Sequence, residues 1–117
     1  MNDPIQQEIE AKGLTAPRVT PADVEAEIAS EHYFTAADGC HQRFIDCKGD
    51  SPWGTPLEYL TFCVLVLRNG FTVTGESACA SPENFDAEIG RKVARQKAAQ
   101  KIWPLLGFRL RDAIKEH

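Results

Sequence analysis

The chain has 117 residues, the length of one domain and too few for a catalytic unit with a separate regulatory one. Apolar residues make up 43% and charged residues 26%, the composition of an ordinary globular protein. The longest apolar run, Phe62 to Leu67, is a strand's length and far short of a membrane span. The first ten residues are polar and acidic and lack the pattern of a secretory signal, so the expected location is the cytoplasm.

The net charge of −4 is unevenly spread. Residues 1–31 hold two bases and seven acids, whereas residues 84–117 hold eight bases and four acids. An acidic protein is a poor generic ligand for nucleic acid, so none is expected. The basic C-terminal third can still hold a small anion, or the acidic front of another subunit.

The four cysteines (Cys40, Cys47, Cys63, Cys79) contain no C-x-x-C pair, and His32, His41 and His117 do not complete a zinc-finger spacing. Cys40, His41 and Cys47 could be drawn as a metal site. Reduced cytosolic thiols are the simpler reading, so no metal and no cofactor are expected.

In chain order, residues 1–19 read as a flexible tail, interrupted by Pro4, Gly13 and Pro17. Residues 20–117 form the single domain. Thr20-Pro21 is a helix start, a hydroxyl cap followed by proline at the first helical position. Val24 and Ile28 recur at helical spacing, and the helix is expected to run to about Tyr33 and pack through Val24, Ile28 and Phe34. Residues 35–56 read as a long connection with at most one short strand around Arg43 to Asp46.

Leu57 to Arg68 is the clearest strand. Asn69-Gly70 signals a two-residue hairpin turn, which would place Val66 opposite Val73 and Val64 opposite Gly75. Phe62, Val64, Val66, Phe71 and Val73 then share the face expected to meet a helix. Cys63, Leu65 and Leu67 share the other with Thr72, Thr74 and Glu76, a half-polar face of the sort a ligand or subunit covers. Ser81-Pro82 starts a last helix running to about Ile102. Pro104 ends it, leaving Leu105 to Leu110 as a short apolar closing segment. The fold class is α+β: an N-terminal helix, an antiparallel hairpin or sheet of two to three strands, and a C-terminal helix packed on the sheet.

Four stretches carry a resemblance: Asn69-Gly70-Phe71-Thr72-Val73-Thr74-Gly75-Glu76-Ser77-Ala78-Cys79, Pro82-Glu83-Asn84-Phe85-Asp86, Ile89-Gly90-Arg91-Lys92 and Lys101-Ile102-Trp103-Pro104-Leu105. Together they resemble the family of small tailed-phage proteins typified by members from coliphage N4 and Shigella phage Sf6. Glu31-His32-Tyr33-Phe34, read as helical, looks like that family's N-terminal part. The resemblance spans about residues 20–111 and implies phage or prophage origin, without implying an activity. Separately, Gly90 to Ala99 looks like the final helix of double-stranded-RNA-binding domains, a likeness that bears on architecture rather than on RNA binding.

No nucleophile elbow, P-loop, zinc-protease helix or calcium loop is present. Asp38, Cys40 and His41 lack a third orienting group, so no enzyme is expected. One expectation is a phage accessory protein that counters host defence by sequestering an anionic signal nucleotide. Arg91, Lys92 and Arg95 would meet its phosphates, and Phe71, Phe85 and Trp103 could stack on a base. Asn84, Thr74 and Glu76 would complete the pocket. That reading would end if both the Arg91 and Arg95 heads were locked onto internal carboxylates with no cleft beside them. The alternative is a protein-binding module that inhibits a host protein or works as an oligomeric accessory, joined through its acidic front and basic back.

Overall fold

The computed structural model describes residues 3–14, 16–47 (backbone only from 42) and 51–116. Its elements are α1 (Pro4–Ala11), α2 (Pro21–Glu27), β1 (Ile28–Thr35), α3 (Ala36–Cys47), β2 (Leu60–Leu67), β3 (Thr72–Ala78), α4 (Ala87–Gln100) and α5 (Ile102–Glu116). The strands form one antiparallel sheet in the order β1-β2-β3, and α4 packs across one face. This is the α+β arrangement expected, with the third strand supplied by β1. Among the described residues no helix is long and apolar enough to cross a membrane.

Several elements differ from the sequence reading. The tail contains α1, started by Asp3 capping the Ile5 N–H at 2.8 Å with Pro4 in the first turn; none of its residues is buried. α2 starts where expected, with a reciprocal capping box between Thr20 and Asp23, but ends at Glu27. Residues Ile28–Thr35, Tyr33 among them, are strand instead of helix. Their tertiary partner overrides helical propensity: β2 is a buried strand that needs a hydrogen-bonded neighbour on both edges.

The expected connection at 35–56, with its short strand, contains α3 instead. Thr35 and Asp38 form a second capping box, their backbone–side-chain bonds measuring 2.9 and 3.1 Å, so the chain turns directly from β1 into a helix. The last helix begins at Ala87, not at Pro82. Ser81 makes no cap bond and Pro82 opens only a short 3-10 turn, whereas Asp86 accepts from the Ile89 N–H at 3.1 Å. Pro104 does not end the helical run. It sits in the first turn of α5, where a missing N–H is tolerated, and the closing segment is a 15-residue helix.

The hairpin register is one residue away from the expected one. Leu65 faces Val73, and Cys63 faces Gly75. The loop is Arg68-Asn69-Gly70, closed by Leu67 N–H to the Phe71 carbonyl at 2.8 Å, with Gly70 at φ +89°. A left-handed glycine in the third loop position is the three-residue alternative to the tight turn. Relative to β3, the slip moves every β2 side chain to the other face. Cys63, Leu65, Leu67 and Val73 therefore meet α4, with Val24, Ala94, Ala98, Ile102 and Leu106 completing the core. Phe62, Val64 and Val66 instead share the opposite face with Thr72, Thr74 and Glu76.

Candidate functional site

The residues expected to bind an anion are divided by the sheet. Thr74 and Glu76 lie opposite Val64 and Phe62, on the face away from α4. Phe71 is exposed beside the hairpin loop. Asn84 lies in the 3-10 turn, exposed, and Phe85 next to it is half-buried against Tyr59, with ring centres 5.3 Å apart. Arg91 lines a cleft of about 120 Å3 with Phe85, Tyr33 and Asp38. Pockets that take drug-sized ligands start at roughly 300 Å3.

Arg95 is held by two carboxylates. Its Nη1 and Nη2 donate to Glu25 at 3.0 and 2.8 Å, and its Nε donates to Glu31 at 2.8 Å. The bond from Arg95 holds the Glu25 carboxyl below its ordinary range, and the two carboxylates push the Arg95 pKa further up. Tyr33 donates to Glu31 at 3.2 Å. Burial, then the nearby charges, raises this phenol to about 12. Burial likewise raises the Cys63 thiol. Arg91, by contrast, is exposed and enters no ion pair among the described residues, and Lys92 makes only an exposed pair with Glu88 at 3.3 Å. A groove of about 400 Å3 between α2 and α4 gathers Lys92, Arg95, Gln96 and Trp103, but Glu25 shares its wall.

A second cationic group was not visible in sequence. Arg18, Arg68 and Arg109 line a cleft of about 340 Å3 between α2 and α5, with Asp23 and Glu27. Its apolar wall is Val19, Ala26, Leu106, Leu110 and Ala113. Arg109 donates to Glu27 at 2.9 Å, and the Glu27 side chain is only 10% exposed. Arg18 donates to Gln6 of α1 at 3.0 Å. Asp23 already accepts the Thr20 N–H of the capping box at 2.9 Å. Arg68 has no ion pair among the described residues. The three arginines come from the linker before α2, the hairpin loop and α5, so no local spacing could announce them.

Asp38, Cys40 and His41 share no hydrogen bond among the described residues. Asp38 is engaged in capping, Cys40 is exposed, and His41 stands against Trp53 with ring centres 5.4 Å apart. Among the described residues no three His, Cys, Asp or Glu side chains cluster in a metal-binding arrangement. The Cys47 side chain lies outside the described residues.

Residues 19–114 match the Phage protein (N4 Gp49/phage Sf6 gene 66) family. The chain belongs to that family. The match covers α2 to α5 and leaves α1 outside it. No curated protein and no solved structure matches the chain significantly.

Proposed function

We propose that this phage protein is an accessory protein that acts by binding, not by catalysis, and that its ligand is a small organic anion held between α2 and α5. One observation carries the reading. Three guanidinium groups line a single cleft with an apolar wall, within a protein that is acidic overall. Arg109 is balanced by Glu27 and Asp23 is engaged in its cap, which leaves Arg68 uncommitted and Arg18 bonded only to a neutral amide. Guanidinium is suited to phosphate and carboxylate, and the cleft volume falls in the range of small-ligand pockets. A signal nucleotide made by the infected host has this chemistry, with phosphates for the arginines and a base for the apolar wall. Sequestering it would counter host defence.

Calorimetric titration with a cyclic dinucleotide, AMP and inorganic phosphate tests this. Binding of a nucleotide that weakens about tenfold in Arg68→Ala and in Arg18→Ala is expected. No heat with any of the three would overturn the reading, and undiminished binding by both folded variants would remove the ligand from this cleft.

The open sheet face favours a second reading, a protein-binding module. Phe34 and Phe62 stack there with centres 5.4 Å apart, and Val64 and Val66 are only half-buried beside Thr72, Thr74 and Glu76. Gly39 of α3 stands near the Phe34 ring at one end of this face. RNA is a poor fit for the helical face, although α2, the three strands and α4 follow in the order of RNA-binding modules apart from α3 between β1 and β2. Glu25 and Glu31 already neutralise Arg95, which leaves it nothing to offer a phosphate.

A further inference from the structure

We infer that a second copy of this chain docks antiparallel along the outer face of α5, about a two-fold axis. This is independent of the ligand proposed above. The inner face of α5 is occupied: Ile102 and Leu106 are buried, and Leu110 and Ala113 line the arginine cleft. The outer face carries Leu105, Phe108 and Asp112, and Lys101, the αR C-cap of α4 that leads into α5, stands one turn before Leu105, so the four, spaced by four, three and four residues, extend one stripe. Phe108 is 74% exposed and Leu105 38%. Lys101 and Asp112 are exposed, and neither is in an ion pair among the described residues.

The order along the stripe is base, apolar, apolar, acid. An antiparallel copy reads acid, apolar, apolar, base, so the stripe is complementary to itself. A two-fold axis between Leu106 and Gly107 sets Leu105 against the partner's Phe108 and Lys101 against the partner's Asp112. Symmetry repeats both contacts. A parallel copy would oppose Lys101 to the partner's Lys101 and Asp112 to the partner's Asp112. This charge order chooses a second copy over an unrelated protein, which would have no reason to match a palindrome. The arginine cleft stays open in the pair, because Arg109 points to Glu27 on the inner side.

Sedimentation equilibrium on the full chain, from micromolar to millimolar concentration, tests the inference. A monomer–dimer equilibrium is expected in the wild type. Phe108→Ser, at an exposed position that leaves the fold intact by circular dichroism, should weaken it by about tenfold or more. Lys101→Asp and Asp112→Lys should each weaken it, and the two together should restore it. A wild type that stays monomeric throughout would overturn the inference. So would a dimer indifferent to Phe108→Ser, or charge reversals whose combination fails to restore association.

Discussion

Gly75 of β3 lies so close to Ala94 of α4 that a methyl group at position 75 would overlap the Ala94 carbonyl oxygen. The same methyl would stand 3.1 Å from the Ala98 Cα. Helix and strand therefore touch backbone to backbone, and the small stripe of Gly90, Ala94 and Ala98 is what permits the approach. Both neighbours are main chain and cannot rotate away. Gly75→Ala should destabilise by about 2–3 kcal/mol, the upper part of the range for overpacked cores. Urea unfolding measures it, with exposed Thr72→Ala on the same strand expected to stay within about 0.5 kcal/mol of wild type.

Gly70 holds the hairpin loop at φ +89°, with open space around its Cα. A substitution there strains the backbone without a clash. Gly70→Ala should lower stability by about 1 kcal/mol in the same assay. An unchanged midpoint would mean that the loop takes another conformation, and with it another register.

Arg95 joins β1 and α2 to α4 through Glu31 and Glu25. The Glu25 side chain is 57% exposed, so solvent screens the pair, and a double-mutant cycle with Glu25→Gln and Arg95→Gln should give about 0.5–1 kcal/mol. The folded-state pKa of Glu25 lies below its ordinary 4.5. Its contribution is therefore full above that value and disappears as pH falls through the lowered one. Acid unfolding of Glu25→Gln should be less steep than that of wild type over this window.

Glu27 is nearly buried and its carboxylate meets Arg109. Arg109→Ala strands a charge with little water, which should cost about 2–3 kcal/mol. Adding Glu27→Gln should recover part of the loss, because an uncharged amide is easier to leave there. Thermal unfolding of the single and double variants checks this.

Tyr33 titrates at about 12 in the folded chain against an ordinary value of 10.0. The folded state keeps the proton longer than the unfolded state does, so this stabilisation is full below pH 10.0 and disappears as pH rises towards 12. Absorbance titration should show a late phenol that is absent in Tyr33→Phe, and that variant should lose less stability over the same alkaline window.

Much of the architecture follows from local chemistry. The Thr20-Pro21 start of α2, the strand over Leu60–Leu67, the hairpin at Asn69-Gly70 and the body of α4 rest on caps, β-branched runs, turn residues and helical spacing that act on their immediate neighbours. The family was also legible, because most of its motifs lie in the contiguous stretch from the hairpin to the start of α5. β1 was not. Glu31-His32-Tyr33-Phe34 has no strong preference of its own and becomes strand because β2 has an edge to fill. α3 depended on the Thr35–Asp38 box, which resembles many turn sequences.

The site shows the same division. Arg91, Lys92 and Arg95 are neighbours in sequence, so they were found together, but only the fold brings Glu25 and Glu31 to Arg95. Arg18, Arg68 and Arg109 are far apart along the chain and meet because α5 returns beside α2. Hydrogen-bonding and capping preferences reach a few residues, and sequence alone determined what lies within that reach. Tertiary structure decided the hairpin register, the buried face of the sheet and the grouping of charges, because each depends on which distant surfaces exclude water together.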